Sequence, residues 1–140
     1  MAVEVGEHLY RLTTDVARQM GGRLIKLLGD GAMLAFPNAS SALAAALEIV
    51  GSSGAPGSSL PATRAGVEAG SLIEQDGDVF GRTVNLASRL CGLAGRAEVV
   101  VGEGVVSSVS EGNNWRFDPI GPVELKGFAQ PVAAYRVIGP

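Results

Sequence analysis

Two short apolar runs set the frame. RLIKLL (23–28) and AMLAF (32–36) flank Gly29, Asp30 and Gly31. Apolar runs on either side of a Gly-rich turn form a β-hairpin, because glycine supplies the conformations that a tight reversal needs. The flanking segments have a different period. Across 7–20, Leu9, Leu12, Val16, Ala17 and Met20 recur at helical spacing, and Gly21 and Gly22 end that helix. Pro37 closes the hairpin, and Asn38 or Ser40 caps a second, Ala- and Leu-rich helix that runs to about residue 50. A hairpin held between two helices requires a mixed architecture in which helices cover a sheet.

The rest of the chain continues in kind. GSSGAPGSSLP (51–61) is the one low-complexity stretch and reads as a flexible surface loop. It is too short to separate two domains, so 1–140 is expected to be a single domain. Ala65, Val67 and Ala69 alternate, predicting a strand that ends near Ile73; Asp76 and Gly77 then turn into a shorter strand at Val79 and Phe80. Across 82–93, Val84, Leu86, Ala87, Leu90 and Leu93 form a second helical stripe. AEVVVG (97–102) is a buried strand by its β-branched content. A short helix at 103–109 and strands near 115–117 and 133–138 complete an α+β sandwich, with helices expected on one face of a mostly antiparallel sheet.

Charge and cysteine content exclude several classes of function. With 11 basic and 14 acidic side chains, net −3, the chain has no basic face for nucleic acid. The single cysteine forms no internal disulfide and no zinc cluster. No apolar stretch is long enough to span a membrane and MAVEVGEH lacks a signal peptide, so a cytoplasmic location is expected.

A few polar residues stand out against this background. Asp30 in the hairpin turn is either a turn residue bonding its own backbone or a carboxylate ligand for a hard cation. Lys26, in the run before it, is either a solvated strand lysine or a donor to the edge of a ligand. Asp78 follows a turn and by itself reads as turn chemistry. Asn85 and Arg89 lie four apart and share one helix face, either as solvated surface or as an amide and a forked cation for phosphate. Lys126 precedes Gly127 in a turn, where a solvated lysine is the ordinary reading.

Taken together, GGRLIKLLGDGAMLAF, RAGVEAG, DGDVFGRTVNLASRL and ELKGFAQPVAAYRV resemble the catalytic domain of class III nucleotide cyclases, bacterial adenylate cyclases in particular, from about residue 8 to 138. The resemblance implies a ferredoxin-like α/β core working as a head-to-tail dimer, with another copy or another cyclase chain, and active sites shared between the two. It implies a phosphorus–oxygen lyase that closes ATP to 3′,5′-cyclic AMP and pyrophosphate for signalling, with two Mg²⁺ or Mn²⁺ ions held by two aspartates. Asp30 resembles the second of those aspartates. Lys26 and Asp78 match the pair that reads the adenine edge of ATP or another adenine nucleotide. Asn85 matches the residue that orients the ribose and Arg89 the one that stabilises the transition-state phosphate. Lys126 resembles a lysine that meets the terminal phosphates.

The match has a gap at its start. In the family an apolar strand ending in the first metal aspartate, and a loop rich in Gly, Phe and Thr, precede the first helix. MAVEVGEH has no Asp, Glu4 and Glu7 do not sit in that pattern, and Asp15 falls inside the helix. The fold is therefore expected to be N-terminally short by a strand that is central in the family's sheet, with activity weak or absent in this form. Two identical chains would both lack the same aspartate. Residues 2–5, another chain, or rearranged pairing are the ways to fill the slot; a non-catalytic nucleotide-binding or dimerising module is the alternative function. Glu68 stands where bacterial relatives often carry a His, with no functional weight attached.

Overall fold

β6 (Val99–Gly102) is buried along its whole length, and its side chains divide the core in two. In a strand, successive side chains point to opposite faces. Val99 and Val101 pack with Leu43, Ala46 and Val50 of α2 (Ala39–Ser52) and Val105 of α4 (Glu103–Ser108). Val100 packs instead with Leu86 and Leu90 of α3 (Arg82–Leu93), together with Val132 and Ala134. α3 therefore lies across the sheet from α2 and α4, which corrects the expectation of helices on one face. A strand apolar on both faces is what a sheet covered on both sides requires. Each fully buried valine contributes about 1.5–3 kcal/mol.

The computed structural model describes residues 2–29, 31–54, 56–58, 60–109 and 115–138. Among these, α1 (Ala2–Gln19) is followed by β1 (Arg23–Leu28), β2 (Gly31–Ala35) and α2, whose N-cap Asn38 accepts a hydrogen bond from Ser41 N at 2.8 Å. Of the two predicted caps, Asn38 is the one used; Ser40 is already helical. The 51–61 stretch is fastened at both ends, since Ser53 and Leu60 are buried and Gly54 N donates to Leu60 O at 2.8 Å. β3 (Ala65–Val67) pairs parallel with β6, which pairs antiparallel with β8 (Val132–Ile138), and β8 with β7 (Arg116–Val123). Pro119 and Pro122 are tolerated in β7 because it is an edge strand.

One sequence expectation is revised here, and one of three alternatives is removed. The strand predicted to run on to Ile73 stops at Val67; β4 (Ile73–Gln75) and β5 (Asp78–Phe80) form a separate hairpin, turned through Asp76 (φ 52°) and Gly77 (φ 79°). Residues 2–5 do not supply a strand, because α1 extends back through them: Ala2, Glu4 and Glu7 favour helix, and the helix continues through Gly6. Among the described strands β2 pairs only with β1, and β3 only with β6. The sheet is divided at that point, and it is bridged by helices, with α1 on β1 and β2, α2 on β3, and the two helices in contact.

Candidate functional site

Lys26 and Asp78 are 52 residues apart in the chain, and the fold brings them together: Lys26 Nζ donates to Asp78 Oδ2 at 2.9 Å. Asp78 Oδ1 accepts from the Val79 backbone N–H at 2.7 Å. The Lys26 hydrogen bond, and after it the Val79 N–H, hold the Asp78 carboxyl below the usual aspartate range, so it is an anion at neutral pH. The two side chains remain 41% and 31% exposed. With two ammonium hydrogens and several lone pairs unused, they offer one donor and one acceptor side by side to a flat heterocycle.

Of the remaining predicted residues, Asn85 and Arg89 lie on α3 and Lys126 on a turn packed against it. Gly81, at φ 123°, connects β5 directly to that helix. Leu86 and Leu90 are buried on one face of α3, which leaves Asn85 and Arg89 exposed on another. Neither makes a side-chain hydrogen bond or ion pair with the described residues, so both are available to a ligand. The depth of α3 is set by Gly66: a Cβ there would lie 2.2 Å from Cys91 N and 2.4 Å from Ala87 O. Lys126 is exposed in the turn between β7 and β8. That turn is anchored by Leu125 and Phe128, which pack against the Leu86 and Leu90 cluster, and by the Arg82 guanidinium 4.7 Å from the Phe128 ring centroid. Five of the six predicted residues thus fall on connected elements. Asp30, the sixth, lies outside the described residues.

Sequence reasoning missed the roles of three residues. Arg23 forms an ion pair with Glu74, linking β1 to β4; nothing in the local pattern marks either residue. Glu68 accepts hydrogen bonds from Ala69 N at 2.9 Å and Val105 N at 3.2 Å, and so caps α4, whose own N-cap, Gly102, has no side chain to do so. Burial pushes the Glu68 carboxyl up, against the pull of those N–H groups. The signal available for Glu68 was its place between an apolar strand and two later glycines, Gly102 and Gly104, whose added Cβ atoms would overlap it.

Leu27 and Leu28 of β1, Leu72, and Ile73 and Phe80 of the β4 and β5 hairpin, all on or beside the elements that carry Lys26 and Asp78, are exposed. Among the described residues no group of three or more His, Cys, Asp or Glu side chains is placed to hold a metal ion. Among the described residues no helix is long and apolar enough to cross a membrane.

Comparison with known proteins adds independent findings. Residues 63–139 match the model of the adenylate and guanylate cyclase catalytic domain. A pH-sensitive adenylate cyclase of Mycobacterium tuberculosis is 34% identical over 144 residues, covering 97% of this chain and 35% of the relative. An adenylate cyclase of Streptomyces coelicolor is 39% identical over 98 residues, covering 70% of this chain and 26% of the relative. The chain thus spans about a third or less of the length of these curated relatives. Among solved structures, an adenylate/guanylate cyclase/hydrolase from Silicibacter pomeroyi superposes with a TM-score of 0.79 at 26% identity, over 95% of this chain and 83% of that one.

Proposed function

Because the chain belongs to the adenylate and guanylate cyclase catalytic domain family, we propose that it supplies the nucleotide-holding wall of an adenylate cyclase site. The observation that carries this reading is the contact between Lys26 and Asp78. Adenine presents a ring-nitrogen acceptor beside an exocyclic amine donor, matching the Lys26 ammonium and the Asp78 carboxylate. Guanine presents the reverse, an N–H beside a carbonyl, and sets donor against donor and acceptor against acceptor. On α3, Asn85 orients the ribose, while Arg89 faces the α-phosphate with a fixed fork of donors. Lys126 meets the terminal phosphates as a point charge. In the family reaction the ribose 3′-hydroxyl gives up its proton to solvent as its oxygen bonds to the α-phosphorus, the bond from that phosphorus to the bridging oxygen breaks, and pyrophosphate leaves with that electron pair. Arg89 stabilises the charge that develops on the α-phosphate oxygens, an electrostatic effect that is usually the largest single catalytic contribution.

Two divalent ions, Mg²⁺ or Mn²⁺, would activate the hydroxyl in the family reaction and need two aspartates. Within these residues only Asp30 matches one of them, and Glu7 is exposed on α1. This donor set does not by itself fit a metal pair. We therefore read this chain alone as weak or inactive in catalysis while retaining nucleotide binding. The exposed apolar residues around the wall fit a head-to-tail partner, a second copy or another cyclase chain, closing over it. The test is to incubate the protein alone with Mn²⁺ and ATP and measure cyclic AMP. No product above background is expected; turnover that disappears in Asp30→Ala contradicts the inactive reading.

A further inference from the structure

In a regular strand Arg23 and Lys26, three residues apart, would point to opposite faces. β1 is not regular. Its pairing with β2 shifts register between Leu24 and Lys26, so that Arg23 lies opposite Ala35 and Lys26 opposite Met33. Ala35 and Met33 are two apart on β2 and share a face, so the bulge brings Arg23 and Lys26 onto one face as well. Both then reach the hairpin of β4 and β5: Arg23 pairs with Glu74 and Lys26 with Asp78. That hairpin needs such a tie. It is a two-stranded sheet of its own, with Leu72, Ile73 and Phe80 exposed and Val79 its buried anchor, and an isolated two-stranded hairpin is marginal in water.

We propose that Arg23 and Glu74 are positioning residues for base selection: their ion pair, placed by the β1 bulge, fixes the β4 and β5 hairpin against β1 and so sets where Asp78 stands relative to Lys26. Neither residue touches the base in this account. It rests on the reading of Lys26 and Asp78 as the adenine-reading pair. Asp78 sits at the turn end of its hairpin, opposite Gln75, where a small swing of the hairpin moves its carboxylate out of register with a bound purine. The pair is half exposed, with side chains 47% and 59% accessible. Exposed pairs couple weakly, which corresponds to about a two- to fivefold change in selectivity.

Charge reversal tests this with the whole chain. ATP and GTP affinities are measured by calorimetry for the wild type, Arg23→Glu, Glu74→Arg, the double exchange of the two, and Lys26→Ala. The ratio of ATP to GTP affinity is expected to fall about two- to fivefold in each single reversal and to recover in the double exchange. Single variants that keep the wild-type ratio, or a double exchange as poor as the singles, overturn the proposal. Equal ATP and GTP binding by the wild type, unchanged in Lys26→Ala, defeats the adenine reading instead. Rapid amide hydrogen exchange across residues 73–80 then decides the latch separately. Faster exchange in each single reversal, restored in the exchange of both, supports it, and unchanged exchange refutes it.

Discussion

Gly66→Ala is the substitution whose cost follows most directly from the geometry. Gly66 has no positive φ, so an added methyl meets no backbone strain of its own. Its difficulty is steric: the new Cβ would lie 2.2 Å from Cys91 N, 2.4 Å from Ala87 O and 2.7 Å from Cys91 Cα. All three are backbone atoms of α3, so no rotamer change relieves the overlap. The helix must withdraw from β3 by about 1 Å to reach ordinary van der Waals separation, loosening Leu86 and Leu90 against Val100. Overpacking of this kind costs about 3 kcal/mol, or about 10 °C in melting temperature for a domain of this size. Gly92→Ala is the matched control, because it lies in the same helix with nothing within 4 Å of its added Cβ. It is expected to stabilise by about 0.5–1 kcal/mol, the ordinary gain from replacing a helical glycine. Thermal unfolding followed by far-UV circular dichroism reads both. A Gly66→Ala protein that melts within about 2 °C of the wild type refutes the close approach of α3 to β3, and with it the placement of Asn85 and Arg89.

Two smaller predictions follow from caps. Burial raises the Glu68 carboxyl, so the folded state holds that proton more tightly than the unfolded chain. Stability from this group is full below the unfolded value and is lost as pH rises through the raised folded one. Glu68→Gln removes the titration, so its melting temperature relative to wild type should climb between acid and neutral pH; a constant difference contradicts the account. Asn38→Ala leaves Ser41 N without its cap and should cost about 1 kcal/mol in urea unfolding, with no effect on nucleotide affinity because α2 bears none of the wall.

How far the sequence carried this picture depended on what each signal encodes. Local period placed the hairpin, α3 and β6 correctly, because each has one regular repeat bounded by glycine or proline. The run VVVG at 99–102 announced burial, but a strand apolar on both faces does not say which helix covers which face. Alternation through Ala65, Val67 and Ala69 looked like one long strand, whereas Gly70, at φ 159°, lies in the break between β3 and the β4 and β5 hairpin. The prolines of β7 masked a strand whose length comes from pairing with β8. For the site, Lys26, Asp78, Asn85, Arg89 and Lys126 are proposed through motif resemblance, since spacing alone allows each to be solvated surface. Arg23 and Glu74 were invisible, because their meeting depends on a bulge that no residue pattern marks.

Whether Lys26 and Asp78 form an edge that fits adenine is decided by calorimetric titration of the chain with ATP and with GTP. Adenine satisfies both groups, whereas guanine leaves each facing a like partner, a mismatch worth about tenfold or more in affinity. ATP is expected to bind at least about tenfold more tightly than GTP, and Lys26→Ala to bring the two together. Equal affinities in the wild-type protein would contradict that fit.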